Sequence, residues 1–106
     1  MRIHKKEEFG KKKQHLAVLA HSISHPARIA ILKILAKKEN CNCNELVALL
    51  PLSQSTVSQH LKELKNCCLI NGTVRGTSNI YSLNKTILKE FESEFKKMMK
   101  SVISKK

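Results

Sequence analysis

Leu52-Ser53-Gln54-Ser55-Thr56-Val57-Ser58-Gln59-His60-Leu61-Lys62-Glu63-Leu64 is the stretch whose reading decides the fold. Ser53 offers a side-chain acceptor to the free N–H groups of a helix starting at Gln54. Val57, Leu61 and Leu64 then follow at i, i+4 and i+7, the spacing of one buried helical face. With those three turned inward, Gln54, Ser55, Ser58, Gln59 and Lys62 stay outside, and Thr56 stands among them beside the cap. Short donors and acceptors of this kind reach base edges in a major groove or phosphates beside it, and the helix N-terminus adds N–H groups for a phosphate. A solvated surface helix carries a similar face, so the neighbouring segments decide between the two readings.

Upstream, Asn40, Asn42 and Asn44 interrupt the apolar pattern. Asn44 can cap a short helix over Glu45 to Leu50, which Pro51 ends. Two helices joined by so short a connection give the helix-turn-helix outline. Downstream, the runs Leu69 to Val74 and Asn79 to Leu83 are rich in β-branched residues and flank Arg75-Gly76-Thr77-Ser78, which predicts a β-hairpin. Arg75 at its tip can enter a minor groove next to the helix.

Farther out, Asn84 caps a last helix in which Leu88, Phe91, Phe95, Met98 and Val102 step by three and four residues, the seam of a paired helix. A stripe packed on its own domain is the competing reading. Pairing across a two-fold axis would set two recognition helices about 34 to 36 Å apart, one turn of DNA, on an inverted repeat. Towards the N-terminus, Pro26 suits the first position of a helix reaching Lys38. Ser24 or His25 caps it, and Ile29, Ile31, Leu32, Ile34 and Leu35 form a wide apolar face. An earlier helix covers Gln14 to Ser22, and residues 1–13 read as a mobile basic arm or the frayed start of that helix.

At 106 residues, one domain spanning 1–106 is expected. The formal charge of +12 favours a polyanionic partner, because each base that meets a phosphate releases condensed counterions. The surplus is spread evenly over residues 1–13, 14–84 and 85–106, so charge does not locate the site. Only Phe9, Tyr81, Phe91 and Phe95 are aromatic, which supplies base stacking poorly and favours duplex DNA over single strands. No apolar run is long enough to span a bilayer, and Leu16 to Ala20 is too short for a signal sequence, so a soluble cytoplasmic protein without a membrane partner is expected. Catalysis has no foothold: no carboxylate pair, no nucleophile with a positioned base, and no glycine-rich phosphate loop among three scattered glycines.

From Ala17 to Asn84 the chain resembles the ArsR-type metal-sensing repressors. His25-Pro26-Ala27-Arg28-Ile29-Ala30-Ile31-Leu32 is similar to the family's second helix, Cys41-Asn42-Cys43-Asn44-Glu45-Leu46 to its cysteine box, and Leu52 to Leu61 to its recognition helix. The resemblance implies a mainly α winged helix-turn-helix of about five helices and two strands. It also implies a homodimer that represses transcription until a small effector binds. Leu16 and Leu19 on the first helix would join Leu88, Phe91, Phe95, Met98 and Val102 in a dimer interface built on the helix of residues 85–106. Gln54, Ser55, Ser58 and Gln59, with Thr56, Lys62 and Arg75, would meet the DNA.

Cys41 and Cys43 match the family's thiolates for a thiophilic metal ion, the one cofactor the resemblance implies. Two ligands fall short of the three or four such an ion wants. The third cysteine of arsenite-sensing members is replaced here by Leu46, the usual aspartate after the second cysteine is Asn44, and only His4 and His15 offer donors near the N-terminus. The family's other site, on the last helix, needs histidine, and residues 85–106 have none. Three readings of the pair stay open: partly buried thiols, a metal site, or a redox sensor. Cys67 and Cys68 read as core or cap residues, and the five histidines as solvated or locally hydrogen-bonded. The expectation is therefore a sequence-specific DNA-binding repressor, with a winged-helix protein-interaction module as the rival.

Overall fold

The structure, a computed structural model, describes residues 9–104. Its elements run α1 (Lys11–Ser22), α2 (Pro26–Lys38), β1 (Cys41–Asn42), α3 (Cys43–Leu49), α4 (Gln54–Asn66), β2 (Ile70–Arg75), β3 (Ser78–Leu83) and α5 (Lys85–Ile103). These five helices and the β2–β3 wing make the winged helix-turn-helix that the sequence predicts. One strand is additional: β1 pairs antiparallel with β3, Cys41 opposite Tyr81 and Asn42 opposite Ile80, giving a three-stranded sheet of order β1-β3-β2. Two residues, Cys41 and Asn42, are too few to carry a readable period. Their extended form comes from the edge that β3 offers them.

Two expected boundaries move. α3 starts at Cys43 rather than Glu45, because Asn42 and not Asn44 is its cap. Asn42 Oδ1 accepts from the Glu45 N–H at 2.8 Å while Glu45 Oε1 accepts from the Asn42 N–H at 2.8 Å. This reciprocal pair needs an acidic or amide side chain three residues after the cap; Asn42 has Glu45 there, whereas Asn44 has Val47. α1 starts at Lys11, so Lys11, Lys12 and Lys13 belong to the helix instead of the arm. Residues 1–8 of that arm, His4 included, lie outside the described residues.

Leu19, Ile31, Leu35, Cys41, Leu46, Val57, Leu61, Leu64, Leu69 and Ile70 form the core, each exposing 1% or less. Burial of an aliphatic side chain of this size contributes about 1.5–3 kcal/mol. Val57, Leu61 and Leu64 are the three positions that the spacing picks out, so α4 is held by the face opposite its polar one. Leu19 corrects an expectation: it faces the chain's own core and has no surface left for a partner. α5 buries no residue fully, though Ile87, Leu88 and Phe91 pack against the core.

The turn that leaves α4 fixes where the wing begins. The Leu69 N–H donates to Leu64 O at 3.1 Å and the Cys68 N–H to Lys65 O at 3.0 Å, with Cys68 at φ 68°. These are the two bonds of a Schellman cap, with Leu64 and Leu69 both buried as its apolar contact. Cys68 therefore occupies the left-handed position as an exposed residue, while Cys67 is half-buried and its thiol donates to Leu64 O at 3.3 Å. On β2, Gly72 leaves room for the chain of Lys65, whose Cε lies 3.2 Å from where a Cβ would stand. The wing turn follows from Gly76, at φ 60° between the paired Arg75 and Ser78, as a two-residue hairpin of the II′ kind requires.

Candidate nucleic-acid interface

α4 begins at a hydroxyl cluster. Ser53 Oγ accepts from the Thr56 N–H at 3.3 Å, donates to Thr56 Oγ1 at 3.0 Å, and lies 3.3 Å from Ser55 Oγ. Thr56 thus stands in the cap itself. Gln54, Ser55, Thr56, Ser58, Gln59 and Lys62 are all exposed, on a surface continuous with the helix N-terminus. Gln59 Nε2 donates to Glu63 Oε2 at 3.3 Å, which holds the amide along the helix surface. Glu63 is the only acid on this helix, beside Lys62 and Lys65. An exposed face of hydroxyls, amides and one lysine at a helix N-terminus can donate to and accept from base edges while drawing phosphates to the N–H groups.

His60, on the same helix, breaks the expectation of a solvated or locally bonded histidine. It is 8% exposed and receives a hydrogen bond from Arg28 Nε to its Nδ1 at 3.1 Å, across from α2. Arg28 Nη1 also donates to Ser22 O at 3.2 Å, so one guanidinium joins the end of α1, α2 and α4. His25 is the cap of α2, its Nδ1 accepting from the Ala27 N–H at 3.1 Å, and its ring centroid lies 4.5 Å from that of His60. Burial, then His25 and Arg28, pushes the His60 pKa below its ordinary value. Sequence spacing could not pair residues 28 and 60. The available signal was a histidine standing next to Leu61 on an otherwise apolar side.

At the wing, Arg75 and Val74 are both exposed, Val74 at 71%. β2 pairs with β3 from Ile70 opposite Leu83 to Arg75 opposite Ser78, which carries the arginine to the tip on the same chain segment that leaves α4.

The cysteine segment has the opposite character. Cys41 is buried in the core and Cys43 half-buried beside Tyr81. Burial raises the Cys41 pKa, with Glu45 adding to the rise and Lys38 opposing it, and burial raises that of Cys43 as well. A metal ligand or redox nucleophile needs the thiolate, which these surroundings disfavour. Among the described residues, no group of three or more histidine, cysteine or acidic side chains could hold a metal ion. Leu46, in the place of a third cysteine, is fully buried.

Of the expected partner-facing residues, Leu16, Leu88 and Phe91 are half-buried, while Phe95, Met98 and Val102 expose 41%, 37% and 64%. Phe91 and Phe95 meet edge to face at 6.0 Å, so the stripe is one continuous surface running out along α5. Among the described residues, no helix is long and apolar enough to cross a membrane.

Known proteins share this arrangement. Residues 25–71 match the pattern of the arsR family of bacterial regulatory proteins. The transcriptional repressor PagR of Bacillus anthracis is 35% identical over 68 residues, covering 64% of this chain and 68% of that protein. An arsenical resistance operon repressor of Staphylococcus xylosus is 32% identical over 75 residues, 71% of each. HlyU from Vibrio cholerae superposes with a TM-score of 0.69 at 25% identity, over 90% of this chain and 97% of that one.

Proposed function

The chain belongs to the ArsR family of bacterial regulatory proteins, DNA-binding repressors of transcription with a winged-helix fold, and on that premise we propose that it works as a homodimer on an inverted-repeat operator. α4 lies in the major groove, with Gln54, Ser55, Ser58 and Gln59 towards base edges. Lys62 and the helix N-terminus, with Thr56 in its cap, bind phosphate, and Arg75 enters the neighbouring minor groove. The observation that carries this reading is the exposed polar face of α4 set against three fully buried apolar residues on its other side. The uncovered stripe of Phe95, Met98 and Val102 supports pairing through α5, which brings two copies of α4 onto successive turns of one side of the duplex. Occupying the promoter then blocks transcription in the cytoplasm.

A small effector releases the operator, and we infer that it is not a metal held by Cys41 and Cys43. The Staphylococcus xylosus relative is named for arsenical resistance. Here, however, burial raises the pKa of both thiols and so disfavours the thiolate, and Leu46 belongs to the core.

The test is a titration of duplex DNA against salt, with sedimentation to give the stoichiometry. A selected duplex should bind two chains, with log K falling steeply against log salt, by roughly 0.9 for each phosphate neutralised. Equal weak binding to every duplex at low salt would overturn the reading in favour of a protein-interaction module.

A further inference from the structure

We propose that Arg28 and His60, backed by His25, form a proton-sensitive latch that positions the recognition helix on α2, so that protonation of His60 loosens α4 and lowers operator affinity. The proposal rests on the DNA-binding reading and adds positioning residues to it.

Hydrogen-bond chemistry says which ring nitrogens accept. Arg28 Nε and the Ala27 amide nitrogen have only a hydrogen to give. The Nδ1 atoms that face them, on His60 and His25, must therefore both be bare. With Nδ1 accepting from Arg28, the His60 ring is in its neutral form, its hydrogen on Nε2. A proton added to His60 has to go to Nδ1, where it meets the Arg28 N–H head on and cancels the bond.

Nothing nearby welcomes the added charge. The titratable groups acting on His60 are His25, the cap of α2, and Arg28 on α2 itself. On its own helix, Glu63 is bonded to Gln59. At 8% exposure, water screens the ring little. An imidazolium here would sit between a guanidinium and a second imidazole. The neutral form is thus the one the fold favours. Its contribution is complete above the unfolded pKa of about 6.5 and is lost as pH falls through the depressed folded value.

The consequence for DNA is geometric. Arg28 is bound on one side to the carbonyl that closes α1 and on the other to α4. Releasing His60 leaves Val57, Leu61 and Leu64 to hold the helix by apolar contact alone, which fixes its orientation less tightly than a directional bond. Base readout needs side chains held to a fraction of an ångström, whereas phosphate attraction does not, so discrimination between duplexes should fall before total binding does.

The full chain would be used to enrich a duplex from a random pool at about pH 8, and its affinity and that of an unrelated duplex would be measured down to about pH 5.5 at fixed ionic strength. In the wild type, the preference for the enriched duplex should fall about tenfold or more over this range, a change of about 1.4 kcal/mol. His60→Asn keeps an acceptor near the Nδ1 position and cannot be protonated there. It should bind within about threefold of wild type at high pH and lose most of the pH dependence. Equal pH dependence in both proteins overturns the latch.

Histidine-ring and amide NMR on the free protein decides the matter without DNA. The His60 ring should be the Nε2–H tautomer at neutral pH, and the amides of Gln54–Asn66 should shift with its midpoint. Arg28→Gln, which removes the charge, should raise that midpoint. A proton on Nδ1 at neutral pH, or α4 amides that ignore the titration, would overturn the latch. Absence of binding to any duplex at any pH would defeat the DNA-binding reading, while the NMR result still decides the latch.

Discussion

On the proposed reading the segment from Cys41 to Leu46 stands where an input would and the segment from Ser53 to Leu64 is the output, and they turn their chemistry in opposite directions. In the output segment the polar atoms face water, His60 excepted, and the apolar ones are buried. In the input segment the soft atoms face inward: Cys41 exposes 1%, Leu46 none, and Cys43 stands half-covered beside Tyr81. A hydroxyl or amide on an exposed face keeps its capacity for a new partner, whereas a thiol in a core has become packing. The identity of a motif's residues therefore does not make them reactive; their surroundings decide.

The sharpest way to break this contrast is to remove packing from each side. Leu61→Ala and Leu46→Ala should each lower stability by about 2–5 kcal/mol in urea denaturation, since both leave cavities in a closed core. A Leu46 variant with little loss would mean that the input segment is loosely packed and its thiols reachable.

Next in size comes the polar face. The pair Ser55→Ala with Gln59→Ala should leave stability within about 0.5 kcal/mol and weaken binding to the enriched duplex roughly ten- to hundredfold, with the salt slope unchanged. Arg75→Ala should weaken it less and reduce the slope by about 1. If the double variant changed the slope and not the specificity, the face would be contacting phosphates only.

Much of this was legible because local rules agree with the fold. The cap at Ser53, the spacing of Val57, Leu61 and Leu64, and the gap around Gly76 each predict what the chain does. What escaped depends on partners distant in sequence. β1 exists because β3 lies alongside, Leu19 is buried because α1 packs on the core, and His60 is tied to a residue of α2. Asn42 rather than Asn44 could have been found, since only the former has a glutamate at the right offset for a capping box.

The cysteines themselves give a smaller effect. Cys41→Ser should cost about 1–3 kcal/mol by placing a hydroxyl in an apolar site, while Cys43→Ser should cost less. Cys41→Val tests the same position without a polar atom. Operator release by zinc, cadmium, arsenite or an oxidant should be the same in the wild type and in the Cys41→Ser, Cys43→Ser variant. Release at stoichiometric metal that the variant loses would restore the input segment to a sensing role.

The smallest effect lies at the residues that open each segment's flank, because both Glu39 after α2 and Cys68 after α4 hold positive φ, 69° and 68°. At Cys68 the turn is closed by backbone bonds to Leu64 and Lys65, and the side chain is exposed, so nothing in the geometry calls for a thiol there. A side chain in the left-handed region costs about 1–2 kcal/mol, and glycine removes that strain. Glycine also gives the unfolded chain more freedom, which returns about 0.4–1 kcal/mol of the gain. Cys68→Gly should therefore raise stability by roughly 0.5 kcal/mol, seen as a higher urea midpoint at constant slope, with duplex binding unaltered. A fall in stability would show that the Cys68 side chain itself holds the join between recognition helix and wing. The output segment would then depend on a thiol, and the contrast between the two regions would no longer stand.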